Sequence, residues 1–71
     1  MDKNIKNEIL LAASRVGSME QHISYDLLPH VEEMYADGLI QYVLVDIDDV
    51  KNLQVMLLDK GVELLHSGGY K

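Results

Sequence analysis

The chain has no cysteine, which excludes disulfides and thiolate metal sites and leaves 71 residues to be held together by packing or by association with another chain. It also lacks a long apolar run. Nothing approaches the roughly 20 residues that a membrane helix needs, and Met1-Asp2-Lys3-Asn4 does not follow the charged-then-apolar plan of a signal peptide. A cytoplasmic location is the default expectation. A third absence is local: between Arg15 and Lys51 there is neither lysine nor arginine, whereas Glu20, Asp26, Glu32, Glu33, Asp37, Asp46, Asp48 and Asp49 all fall in that stretch. With a net charge of -6 and a pI near 4.7, this acidic centre argues against nonspecific attraction to nucleic acid or anionic lipid. The same charge serves the solubility of a small domain.

What is present reads as one α+β domain over residues 1–71, with residues 66–71 as a flexible tail. From Asn4 to Val16, the apolar residues Ile5, Ile9, Ala12, Ala13 and Val16 recur at helical spacing, and Gly17 supplies a stop. Leu10 and Leu11 widen that apolar face. Ser18-Met19-Glu20-Gln21 suggests a capping box opening a short helical turn over residues 19–22. A second helix is predicted over residues 26–37, with Asp26 as cap, Pro29 in the first turn, Leu27, Val31, Met34 and Tyr35 as its stripe, and Gly38 at its exit. Two strands follow, Ile40 to Ile47 and Leu53 to Leu58, joined through Asp46-Ile47-Asp48-Asp49 as a β-hairpin. Val43, Val45 and Ile47 are expected to share the core face with Leu53, Val55 and Leu57. Tyr42, Leu44, Met56 and Leu58 would then form a second apolar face. Asp59 is expected to cap a closing helix from Lys60 to His66, ended by Gly68-Gly69.

This order is that of a winged helix-turn-helix: three helices or helical turns, a two-stranded wing and a short C-terminal helix. Val31-Glu32-Glu33-Met34-Tyr35-Ala36-Asp37-Gly38-Leu39-Ile40 resembles the end of a winged-helix recognition helix entering its wing. Leu57-Leu58-Asp59-Lys60-Gly61-Val62-Glu63-Leu64-Leu65 is similar to the Leu-Thr-x-x-Gly-x-x-Leu-Leu segment leaving the wing in MarR-type regulators and in small phage-associated or uncharacterised winged-helix families. Together with the wing, these segments span about half the chain. Leu58 stands where the family has threonine, and residues 17–25 are short for the first helix of a helix-turn-helix. The resemblance implies a non-enzymatic, DNA-associated transcriptional regulator whose recognition helix would offer Asp26, His30, Glu33 and Asp37, and whose wing would offer Asp48, Asp49, Lys51 and Asn52.

Electrostatics oppose that implication, because both DNA-facing elements carry the charge of phosphate. A DNA reader of this composition is rescued if Lys3, Lys6, Arg15, Lys51 and Lys60 converge on another face, which a dimer would double. The alternative is an acidic protein-interaction or dimerisation module, associating with itself or with another protein through Tyr42, Leu44, Met56 and Leu58 or through Leu10 and Leu11.

No residue pattern assigns a catalytic group, a cofactor, a metal or a small-molecule substrate. His22, His30 and His66 lack i, i+4 partners. Asp46-x-Asp48-Asp49 fails as a calcium loop, since Lys51 occupies the glycine position and no glutamate closes it. Ser14, Ser18, Ser24 and Ser67 lie in no nucleophile elbow, and Gly68-Gly69 lacks the lysine of a phosphate loop. Tyr25, Tyr35, Tyr42 and Tyr70 read as core rims.

Overall fold

Local side-chain chemistry accounts for where each element of this fold begins and stops. The computed structural model describes residues 2–71, apart from the side chains of Asp2 and Met19. Helix α1 spans Asp2–Ala13 and buries Ile9, Leu10, Ala12 and Ala13. It ends three residues before the expected Val16. Ser14 turns its hydroxyl onto the Leu11 carbonyl at 2.6 Å, and Arg15 N–H bonds back to Ala12, three residues away. A serine that competes for backbone carbonyls loosens a helix at this point. Val16 therefore leaves the stripe and is 83% exposed. Ser18 does cap the following 3₁₀ turn, Met19–Gln21, by accepting from Glu20 N–H at 3.1 Å. Gln21 does not reach back; it is buried, and its side-chain oxygen accepts a long 3.5 Å bond from Gln54.

Strand β1, His22–Ser24, is absent from the sequence expectation. It exists by pairing antiparallel with residues 52–54. A second 3₁₀ turn, Tyr25–Leu27, is capped by Ser24, whose hydroxyl accepts from Asp26 N–H at 3.2 Å; Asp26 lies inside this turn and does not cap α2, whose N-cap is Leu27 with no side-chain bond. Helix α2, Leu28–Ala36, then buries Val31 and Met34. It closes with Gly38 at φ 78°, donating to Tyr35 O at 3.0 Å while Leu39 N–H reaches Met34 O at 3.0 Å. This paired exit requires a left-handed residue and matches the glycine predicted there.

Strands β2, Ile40–Ile47, and β3, Val50–Leu57, form the hairpin. Its loop is only Asp48 and Asp49, at φ 51° and 64°, a type I′ geometry. The turn starts β3 three residues earlier than expected and sets Ile47 opposite Val50, Leu44 opposite Leu53 and Tyr42 opposite Val55. The expected faces are thereby corrected. Opposed residues of an antiparallel pair point to the same side, so Ile40, Tyr42 and Leu44 share the core side with Leu53, Val55 and Leu57. Val43, Val45 and Ile47 point the other way, together with Met56.

The sheet order is β1-β3-β2, all antiparallel, with the helices on the side of Ile40, Leu53 and Val55. Helix α3, Asp59–His66, follows β3 at once. Its N-cap residue is Leu58, whose N–H binds Leu39 O at 3.0 Å, and Asp59 lies in the first turn, where its carboxylate meets the positive end of the helix dipole. Gly61 makes the docking possible. A Cβ there would collide with the Leu39 carbonyl and press on Leu57.

The last residues are held, contrary to the expected flexible tail. Gly68 and Gly69, at φ 101° and 80°, close α3 by the same paired exit as α2, with Gly69 N–H on Leu64 O at 2.8 Å. The Asn7 side chain then brackets Tyr70, donating to its carbonyl at 3.0 Å and accepting from its N–H at 2.6 Å. Gly61→Ala should destabilise the fold by about 3 kcal/mol through overpacking against main chain. That lowers the thermal midpoint by roughly 15 °C, whereas Gly17→Ala, which faces open space at φ 82°, should cost about 1 kcal/mol. Thermal unfolding followed by circular dichroism compares the two.

Candidate interaction surface

The carboxylates predicted on the second helix and the hairpin do reach solvent. Glu32, Glu33 and Asp37 on and just after α2 are exposed, as are Asp26 in the preceding turn and Asp46, Asp48 and Asp49 at the hairpin end; His30 is half-buried. Lys51 and Asn52, expected in the wing loop, belong instead to β3, where Asn52 donates to Val50 O at 3.1 Å.

The cations are engaged locally. Lys6 binds Glu33 at 2.7 Å and lies 5.4 Å from the centre of the Tyr70 ring, while Arg15 approaches Glu20 at 3.4 Å. Lys51 sits 5.8 Å from the centre of the Tyr25 ring. Lys60 donates to the Asp37 carbonyl at 3.0 Å. Four of the six basic side chains thus have local partners: Lys6 and Lys60 at the C-terminal half of α2, Arg15 at Glu20 and Lys51 at the Tyr25 ring. The hydrogen bond and charge of Lys6 hold the Glu33 carboxyl below its usual range. Among the described residues no three His, Asp or Glu side chains gather as a metal site.

The apolar residues expected to form a self-association face are split. Tyr42 and Leu44 lie on the helix side of the sheet and Met56, opposite Gln41, on the other. Leu58 is the N-cap of α3, and Leu10 is fully buried in the core, leaving only Leu11 of that pair exposed. What the structure does bring together is the border of β2. Tyr35 of α2 meets Tyr42 edge to face, with ring centres 5.5 Å apart and planes at 87°. Beyond them Leu44 is 59% exposed, and on the opposite side of the sheet Val43 is 47% and Val50 60% exposed. Tyr35, read as part of the core stripe, is instead this outer ring. The apolar residues at every position from Val43 to Val45 signal a strand that is apolar on both sides, but its place at the sheet border follows from β1.

A separate groove of about 510 Å³ lies where α3 passes the end of α2, lined by Leu39, Leu64, Lys60, Glu63 and Tyr70 among others. It is open and of mixed polarity, and no buried charged group points to chemistry there. The Tyr70 hydroxyl is buried without a hydrogen-bond partner, and burial raises its pKa above 10.0.

No protein-family model, curated protein or solved structure matches the chain.

The Tyr70 hydroxyl makes a pH-dependent contribution. Because its folded pKa is raised, the stabilisation is complete below the unfolded value of 10.0 and is lost as pH rises through the folded value. Tyr70→Phe should leave stability at pH 7 unchanged or raise it by up to about 1 kcal/mol, since an unpaired buried hydroxyl is removed. It should also flatten the loss above pH 10. Urea unfolding at pH 7 and at alkaline pH measures both.

Proposed function

We propose that this chain is a non-catalytic winged-helix module that works by docking to another protein and does not read DNA. The order α1, β1, α2, β2, β3, α3 and the strand order β1-β3-β2 support the scaffold, as do the segments Val31 to Ile40 and Leu57 to Leu65. Gly38 and Gly61 have physical reasons to be glycine in those segments. One part of a DNA-reading helix-turn-helix is reduced: between β1 and the hairpin, a single 3₁₀ turn, Tyr25–Leu27, precedes α2. The helix that would cross the DNA backbone has no full counterpart there.

The observation that carries the reading is the sign of the charge on the two elements such a fold lays against DNA. Glu32, Glu33 and Asp37 on one, and Asp46, Asp48 and Asp49 on the other, are exposed; Lys6 offsets Glu33 alone, and Lys51 is drawn to the Tyr25 ring. Phosphate contacts supply most of the affinity of DNA binding, and these surfaces repel phosphate. No helix among the described residues is long and apolar enough to cross a membrane, and the cytoplasm is the setting this proposal assumes. Fluorescence anisotropy of labelled duplex DNA at low salt should show no saturable binding at protein concentrations on the order of 100 μM, where nonspecific DNA binders saturate. Saturable micromolar binding would overturn the reading.

A further inference from the structure

The open border of β2 points to an occupant, and its identity deepens the protein-docking reading on which it rests: we propose that β2 receives an extended, basic segment of another protein as an added strand. Strand β2 is eight residues long and has β3 on one side only. The two-residue turn makes Ile47 and Val50 an exchanging pair, and hydrogen-bonded pairs alternate along an antiparallel ladder. The N–H and C=O groups of Tyr42, Leu44 and Asp46 therefore point outward, away from β3.

Sheet borders are usually guarded by lysine, proline, a bulge or a very short strand. From Ile40 to Val45 there is no charge and no proline, and the register with β3 runs unbroken from Ile40 to Ile47. The side chains flanking this border are apolar on both sides of the sheet. Tyr35, Tyr42 and Leu44 stand on the helix side and Val43 on the other. A guest strand alternates its side chains between the same two sides, so beside Tyr42 to Val45 each would meet an apolar neighbour.

Charge selects the guest. Asp46, Asp48 and Asp49 lie at one end of the border and take part in no ion pair among the described residues. Lys51, the cross-strand neighbour of Asp46, is drawn over the Tyr25 ring, which follows β1 on the far side of β3. Toward the other end stand Asp37, three residues before β2, and Glu32, one helical turn from Tyr35. A second copy paired by two-fold symmetry would set the aspartate end of one β2 beside the Ile40 end of the other, adding Asp46, Asp48 and Asp49 to Glu32 and Asp37. Each copy also carries a net charge of -6. A segment with alternating apolar residues and lysine or arginine at its end meets no such repulsion.

The probe is the peptide Lys-Arg-Val-Thr-Val-Thr-Val, acetylated and amidated, titrated into the full chain and followed by amide shifts and amide exchange. Expected are saturable binding, protection of the Tyr42, Leu44 and Asp46 amides, and no binding of the same peptide with two glutamates in place of Lys-Arg. Asp46→Asn, Asp48→Asn and Asp49→Asn together should weaken binding about tenfold, as should raising salt; asparagine tolerates the left-handed turn, so the hairpin is retained. Val43→Lys, at an exposed position, should weaken it as well. Protection confined to α2, or no shifts at all, overturns the proposal while leaving the docking module intact if DNA binding is also absent. A mass of twice 8.0 kDa with the same three amides protected in the absence of peptide overturns it in favour of a second copy.

Discussion

Asp48 and Asp49 both hold positive φ, at 51° and 64°, a conformation that costs an L-residue about 1 kcal/mol or more and that aspartate accepts better than most. Within that turn lies the parity of the whole sheet. With Ile47 set against Val50, every even-numbered residue of β2 faces an odd-numbered residue of β3. Leu53 and Val55 meet Leu44 and Tyr42, and these, with Ile40, make the floor on which α1 and α2 lie. A slip of one residue would turn Val43, Val45 and Ile47 inward and carry Ile40 and Tyr42 into water. Strand β3 also templates β1, so the same turn decides where His22–Ser24 can pair.

Elements with local signals are the ones that could be read from sequence. The end of α2 is announced by Gly38, the end of α3 by Gly68-Gly69, and β2 by its run of branched and aromatic residues, and all three stand where they were expected. Elements that depend on distant partners could not be read. Strand β1 is three residues long, too short to show a period, and is a strand only because β3 lies beside it. Leu53, Val55 and Leu57 of β3 hold the expected core side, but β2 shows its opposite face, because Asp48-Asp49 is a less obvious two-residue turn than Asn-Gly and the register it sets with Val50 is not legible in the sequence. The acidic character of the exposed surface was legible, since charge is a property of composition. The border of β2 was not, because an edge is defined by which strands are missing.

The charges are arranged so that attraction inside the molecule consumes the cations. Lys6 with Glu33, Arg15 with Glu20, and Lys60 with the carbonyl at the end of α2 join neighbouring segments. These exposed contacts contribute little stability. Their larger effect is on the outer field: with Lys6 held on Glu33 and Lys60 on the end of α2, the aspartates of the turn and Glu32 face solvent without an ion pair among the described residues. A small domain with helices on one side of a sheet has one layer of core, and its other surfaces are free to carry such a field.

The clasp between Asn7 and Tyr70 joins residues 63 positions apart. Bringing such distant points together has a large cost in chain entropy when the intervening chain is loose, and very little once that chain is folded. Two hydrogen bonds could not meet the first cost but easily meet the second. The clasp is therefore a record of completion, which forms after the sheet has taken its register and α3 has settled over Gly61, and which opens ahead of them when the molecule breathes.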